Sequence, residues 1–279
     1  MKIRLHHHTK YVFSTSVFLE PHILKFKPRQ DPGQQLISFE LKILPGPVGR
    51  YEYLDESNNI SELVWFNDLH EHLIIEAESE LKLLDINAFS FLIYPFHHNQ
   101  IPIQYHSTNG LDKYLLLADN QINTHDYIKQ LMSDYRGNTM DFLLKITEIL
   151  HADFEKTVRH SGSPHDPDYT LEHKQGSCRD LAVLEMEMLR KAGFASRFVS
   201  GYKFNDEQEE DHELHAWVEV YIPGPGWMGF DPSTGLMVGN DHIPVSSSYL
   251  SENTLPVSGT FRGKAEVTMS TKIQIDKIE

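Results

Sequence analysis

In the first third of the chain, hydrophobic side chains recur at alternate positions or gather in β-branched and aromatic runs, at Thr9–Leu19, Leu36–Leu44, Glu62–Phe66 and Leu73–Glu80. A two-residue period is that of a pleated strand with one face buried, so four strands are predicted. Asp31-Pro32-Gly33, Pro45-Gly46-Pro47 and Asp55–Asn59 supply turn chemistry between them. Short strands separated by such turns predict an antiparallel β-sandwich over residues 1–90.

The pattern then changes twice. Between Ile86 and Tyr105, Phe89, Phe91, Tyr94 and Phe96 precede Ile101 and Ile103, an aromatic-rich segment expected to pack within a linker and helical lead-in over residues 91–125. Beyond it a helical period begins. A short helix is expected at Ile128–Tyr135, and Met140, Leu143, Leu144, Ile146, Thr147 and Leu150 mark a longer one opening at Asn138 or Thr139. A third runs from about Cys178 to Ala192. Leu181, Leu184, Met188 and Ala192 form its apolar stripe, Arg190-Lys191 suits its C-terminal end, and Gly193 stops it. Three strands follow at Ser196–Phe204, Leu214–Ile222 and Gly226–Phe230, the last two joined by Pro223-Gly224-Pro225-Gly226. Thr268–Ile278 alternates as the C-terminal strand of a core domain expected over residues 126–279. Helices and strands in separate runs predict an α+β fold.

Charge and cysteine usage narrow the chemistry. The 279 residues hold 25 lysines and arginines against 40 aspartates and glutamates, a net charge of −15. Such a chain repels nucleic acid and anionic membrane, and suits a cationic or amine-bearing substrate. No segment approaches the ~18 apolar residues of a membrane span, and MKIRLHHHTKYVF carries charges where a secretory leader is apolar, so a cytoplasmic location without membrane contact is expected. Cys178 is the single cysteine, which excludes an intrachain disulfide and a cysteine-rich metal site. His6-His7-His8, His97-His98, and His212 with His215 share no ligand spacing, and strand residues three apart face opposite ways, so no metal or cofactor is expected.

A nucleophilic cysteine needs its thiolate, and a helix start provides positive potential for it. Gly176-Ser177 precedes the third helix, Ser177 is an N-cap candidate, and Asp180 is either its capping-box partner or an ordinary first-turn acid. Cys178 then faces unpaired backbone N–H groups, which also suit an oxyanion. The matching base is an imidazole. His215 opens a strand that carries His215, Trp217, Glu219 and Tyr221 on one face and Ala216, Val218 and Val220 on the other. The next strand ends at Asp231-Pro232, where an aspartate can orient His215 across an antiparallel pair or simply start a turn. Arg179 either supports the thiolate or faces solvent, and Trp217 and Trp227 either line a cleft or fill the core. The Asp206–Asp211 acidic run is either a lip that attracts lysine or a solvated hairpin tip.

Together, GSCRDLAVLEMEMLRKAGFASRFVSGY, HAWVEVYIPGPGW and GFDPSTG resemble the transglutaminase-like superfamily. The resemblance is strong over Asn138–Asp231. HHTKYVF and the Pro28-Arg29 to Gln34 segment resemble the β-rich domain that precedes this core in bacterial members, and a weaker likeness extends through Pro256–Gly263. The resemblance implies a papain-like core with Cys178 as nucleophile, His215 as general base and acid, and Asp231 as orienter. It also implies a second oxyanion donor upstream of the cysteine; Tyr169 and Gln175 are candidates beside the N–H of Cys178 itself. The implied reaction is cleavage of a peptide or amide bond through a thioester, as a cysteine protease or amidase, with an amine-accepting transglutaminase as the alternative. The substrate expected is a peptide or protein amide, a lysine-bearing one suiting the net charge, or an amine. A binding or scaffold module that keeps the fold without turnover remains open.

Overall fold

Alternation in the N-terminal third produces six strands: β1 (Lys2–Leu19), β2 (His22–Leu24), β3 (Gln34–Leu44), β4 (Gly49–Leu54), β5 (Ile60–Trp65) and β6 (His70–Leu83). The structure, a computed structural model, describes residues 1–85, 87, 89–105, 110–159, 161–204 and 212–278. The helical region holds α1 (Ile122–Asp134), α2 (Thr139–Asp153), β7 (Glu155–Lys156), α3 (Pro167–His173), β8 (Gln175–Gly176) and α4 (Cys178–Lys191). Then come β9 (Ser196–Lys203), β10 (Leu214–Ile222), β11 (Gly226–Asp231), β12 (Leu236–Met237) and β13 (His242–Ser248), followed by β14 (Val257–Ser258), β15 (Phe261–Arg262) and β16 (Val267–Lys277).

The N-terminal strands form two antiparallel sheets. One runs β15-β1-β6-β3, with β16 also paired to β1; the other runs β14-β2-β5-β4. Phe13, Val17, Leu19, Leu24, Phe26, Val64, Phe66, Leu73 and Ile75 fill the space between them. The final strand, expected with the 126–279 core, pairs instead with the first: Ile3 lies opposite Lys277 and Phe13 opposite Val267, so the C-terminal segment after β13 returns to the sandwich.

A separate antiparallel sheet, β12-β11-β10-β9-β13, carries α4 on one face. Leu181, Leu184 and Met188 pack against Ala216, Val218, Val220 and Phe230, with α2 adding Phe142, Leu143 and Ile146. The stripe predicted for α4 is the buried one. Two further segments differ from expectation. α1 starts at Ile122, six residues before the predicted Ile128, because Asp168 on α3 accepts from the N–H groups of Asn123 and Thr124 and so satisfies its first turn from outside the helix. In the linker Ile93 and Ile103 are buried, whereas Phe89, Tyr94 and Phe96 are exposed rather than packed. Among the described residues no helix is long and apolar enough to cross a membrane.

The other face of the central sheet meets the N-terminal region through charge. Glu219 of β10 is buried and takes Arg29 Nη2 at 2.6 Å and Arg197 Nε at 2.7 Å, while Arg29 also reaches Asp31 at 2.7 Å. Beside this network the Arg29 N–H and Gln34 Nε2 both donate to the Pro244 carbonyl of β13. Burial alone would raise the Glu219 carboxyl, but Arg29 and Arg197 outweigh it and hold the group down at about 2, against an ordinary 4.5. A lowered carboxyl contributes stability above its unfolded pKa and loses it as pH falls through the folded one. Glu219→Gln is therefore expected to cost roughly 3 kcal/mol at pH 7, with the gap between wild type and variant closing between pH 4.5 and about 2. Urea unfolding across that range checks it, and a gap independent of pH would contradict it.

Candidate active site

The local sequence builds the start of α4 tightly. Gly176 sits where a Cβ would lie 2.8 Å from the Asp180 Cβ, so the chain can turn into the helix only without a side chain there. Asp180 is fully buried and does reach back: its Oδ2 accepts from the Ser177 N–H at 2.7 Å and the Ser177 hydroxyl at 2.6 Å, closing a capping box. Its Oδ1 takes Arg159 Nη2 at 2.5 Å and the His165 N–H at 2.7 Å. Burial works against this charge, but these donors keep the Asp180 carboxyl below its usual range. Arg179 donates to the carbonyls of Arg159 and Ser161. These contacts, with the parallel β7–β8 pair, fasten the segments on either side of the cysteine. Cys178 follows as the first residue of α4 and is partly exposed.

β10 and β11 deliver the two partners. Val218 lies opposite Phe230, which sets Asp231 at the end of the β10–β11 ladder, and His215 is two turns of the pleat from the buried Glu219 on the same face. His215 Nε2 donates to Asp231 Oδ2 at 2.8 Å, and the ring is also hydrogen-bonded to Cys178. With Nε2 turned to the carboxylate, Nδ1 is the nitrogen left for sulfur. Burial opposes a charge on His215, but the hydrogen bonds and charges of Asp231 and Cys178 prevail and push it up to about 10. Gly201 lies opposite His215 on β9, where a Cβ would strike the Ile243 carbonyl at 2.2 Å and the Trp217 ring at 2.9 Å.

Asp231 is fully buried and satisfied on both oxygens. Oδ1 accepts the Ser233 N–H at 2.9 Å and the Ser233 hydroxyl at 2.6 Å; Oδ2 accepts His242 Nε2 at 3.1 Å besides His215. Burial would raise this carboxyl; the two histidines and Ser233 hold it well below the ordinary carboxylate range. The sequence therefore brings Cys178, His215 and Asp231 together, while Ser233 and His242 escape notice there. Ser233 had a signal in Asp231-Pro232-Ser233, a side-chain-capped turn; His242 had only its place opening a strand, as His215 does.

Glu185, two helical turns after Cys178, is likewise buried. Thr147 has one hydroxyl proton and two close acceptors, the Leu143 carbonyl at 3.0 Å and Glu185 Oε1 at 2.6 Å. Both contacts are hydrogen bonds at once when Glu185 carries a proton. Burial first, and then the charge of Asp231, raise the carboxyl to about 8, outweighing the Thr147 hydrogen bond, which acts the other way.

The other candidates have settings of their own. Tyr169 stacks on His173 at 3.9 Å and Gln175 is exposed on β8. Trp217 is core; Trp227 stacks beneath the Arg197 guanidinium at 4.2 Å. The acidic Asp206–Asp211 run lies outside the described residues. His7 is buried between Tyr202 and Thr9 and lowered by burial to about 3, and His97 packs on His98 at 4.1 Å. Among the described residues the donor atoms of His215, Asp231 and His242 do lie within 4.8 Å of one another. An ionised carboxylate only accepts, however, so both Nε2 atoms facing Oδ2 carry protons, and a protonated nitrogen is no metal ligand.

Known proteins resemble this chain in sequence and in fold. Residues 126–232 match the transglutaminase-like superfamily, and residues 3–82 match the bacterial transglutaminase-like N-terminal region. An uncharacterised protein of Mycobacterium tuberculosis is 23% identical over 95% of this chain and 89% of its own length. A protein-glutamine gamma-glutamyltransferase of Pseudomonas aeruginosa is 29% identical over 92 residues, which are 30% of this chain and 14% of the relative. A candidate cysteine protease from Cytophaga hutchinsonii has the same fold, with a TM-score of 0.73 at 17% identity over all of this chain and 92% of the other. The chain thus carries, in order, a bacterial transglutaminase-like N-terminal region over residues 3–82 and a transglutaminase-like core over residues 126–232.

Proposed function

We propose that the protein is a cysteine hydrolase that cleaves a peptide or protein amide through a thioester on Cys178, with His215 as general acid and base and Asp231 as the residue that orients it. The observation that carries this reading is the His215 ring, hydrogen-bonded to Cys178 and to Asp231 at 2.8 Å, at the first turn of a buried helix. An imidazolium beside a sulfur at a helix N-terminus favours the thiolate. The thiolate attacks the carbonyl carbon, and the N–H of Cys178, a first-turn donor without an intrahelical partner, receives the oxyanion. The C–N bond breaks as His215 gives its proton to the leaving amine. Water then loses a proton to His215 and attacks the thioester, releasing the acid and the thiol.

A second reading, transfer of the acyl group to a primary amine, is favoured by the matched stretch of the Pseudomonas aeruginosa gamma-glutamyltransferase. The steps differ only in whether water or an amine yields its proton to His215. The net charge of −15 suits a lysine-bearing partner in either role.

Two outcomes test these readings. Iodoacetamide is expected to modify wild type at Cys178 at pH 6, with His215→Ala slowing the reaction at least about tenfold and Asp231→Asn lowering turnover by roughly 10²- to 10⁴-fold. Mass spectrometry of peptide and amide libraries incubated with wild type, with Cys178→Ala and with added primary amine separates the acceptors. Hydrolysed products alone support the hydrolase, amine adducts support the transferase, and neither from a labelled, folded protein supports a binding module.

A further inference from the structure

The orienting carboxylate is shared. His242 opens β13 with its side chain 3% exposed, its Nε2 3.1 Å from Asp231 Oδ2 and its Nδ1 2.7 Å from Asp241 Oδ1. Both neighbours are carboxylates kept ionised by their surroundings: burial raises each, and in each hydrogen bonds from histidine outweigh it. An ionised carboxylate has no proton to give, so both nitrogens of His242 donate and the ring is a buried cation between two anions. Its centroid lies 5.8 Å from that of His215, the other donor on the same oxygen.

We propose that His242 is a positioning residue for the reaction, which fixes Asp231 through Oδ2 and, by sharing that oxygen and its charge with His215, loosens the hold of His215 on its proton. The inference rests on the reading of Cys178, His215 and Asp231 given above. A general acid and base must release its proton to the leaving group and accept one from the next nucleophile, and an imidazolium held by a whole carboxylate does the first reluctantly. A second cation on the same oxygen offsets part of that hold. Asp241 completes the arrangement, because without it the His242 cation would be buried with half of an anion.

The groups around His242 are few enough to separate. Asp241 is the residue just before β13, Lys203 lies opposite His242 on β9 with Nζ 3.8 Å from Asp241 Oδ2, and Asp231 faces it from β11. From β10 come His215 and the Trp217 ring, whose centroid is 5.1 Å away. Glu185 of α4 stands behind Asp231 and titrates near 8, so it needs its own control. Glu185→Gln keeps the neutral shape at all pH values.

The test follows the ring nitrogens of ¹⁵N-histidine-labelled protein from pH 5 to 10 in wild type, His242→Gln, Glu185→Gln and the double variant, with iodoacetamide rates at Cys178 measured alongside. Glutamine keeps an N–H donor for Asp231 without the charge. At pH 7 wild-type His242 is expected to give the pattern of a ring protonated on both nitrogens. His242→Gln is expected to move the His215 midpoint up by about one pH unit, with or without Glu185→Gln. An unmoved His215 midpoint in a variant that melts with wild type overturns the inference, as does a singly protonated pattern for wild-type His242, which decides the matter even if the variant fails to fold. If labelling of wild-type Cys178 is insensitive to His215→Ala, the parent reading falls and takes this one with it; an unmoved midpoint with that sensitivity intact removes His242 alone.

Discussion

A carboxylate with no exposure to water is costly to keep ionised, and the arrangement around Cys178 depends on Asp231 being kept so. Four donors do it: the N–H and hydroxyl of Ser233 on Oδ1, and His215 and His242 on Oδ2. Their positions come from three strands and one turn, so the charge is satisfied only when the β10–β11 ladder, the Asp231–Ser233 turn and β13 are all in register. The site and the sheet are in this sense one structure. A slip of one residue in β10 would turn His215 away from Asp231 and carry Val218 to the face of the Glu219 ion network in the same step.

The sheet is held in register from both sides, by different physics. On the α4 side the constraint is packing, with Leu181, Leu184 and Met188 against Ala216, Val218 and Val220. On the other side it is the ion network of Glu219, Arg29, Arg197 and Asp31, with the Pro244 carbonyl of β13 taking donors from Arg29 and Gln34. Pro244 is two residues from His242. The segment before β3 thus supports the strand that supplies the second histidine to Asp231, and β16, by pairing along β1, closes the sandwich that presents this segment. The N-terminal region is part of the frame of the site as well as its neighbour in sequence.

What could be read beforehand follows from range. The helix stripe, the cap at Ser177 and the strands at 196–203, 214–222 and 226–231 are set by contacts within a few residues, and their periods stand in the sequence. Cys178, His215 and Asp231 were legible because each sits at the end of a periodic element, where a side chain can leave the core. The partnership of β16 with β1 was not legible, since two alternating strands far apart in sequence carry no mark of their pairing. Nor was the exposure of Phe89, Tyr94 and Phe96, because composition alone does not say which side of a linker meets the protein. His242 was hidden for a related reason: its role depends on β13 lying beside β9, a neighbour that order along the chain does not give.

The three buried carboxyl groups around Cys178 show how position assigns chemistry to one functional group. Asp180 is nearest in sequence, yet all its contacts go to Ser177, Arg159 and His165, so its charge is spent holding the helix start and the loop beside it. Glu185 lies on the same helix two turns on, but with Thr147 as its close partner burial favours its proton, and it enters the interior as a neutral group. Of the three, Asp231 is the one that takes hydrogen bonds from imidazole nitrogens. A negative charge on all three would oppose the ionisation of the sulfur they surround, whereas one committed to structure, one neutralised and one balanced by two histidines leaves Cys178 facing the helix start and the His215 ring. The reactivity proposed for the cysteine is therefore set as much by the carboxyl that is kept protonated as by the one that is not.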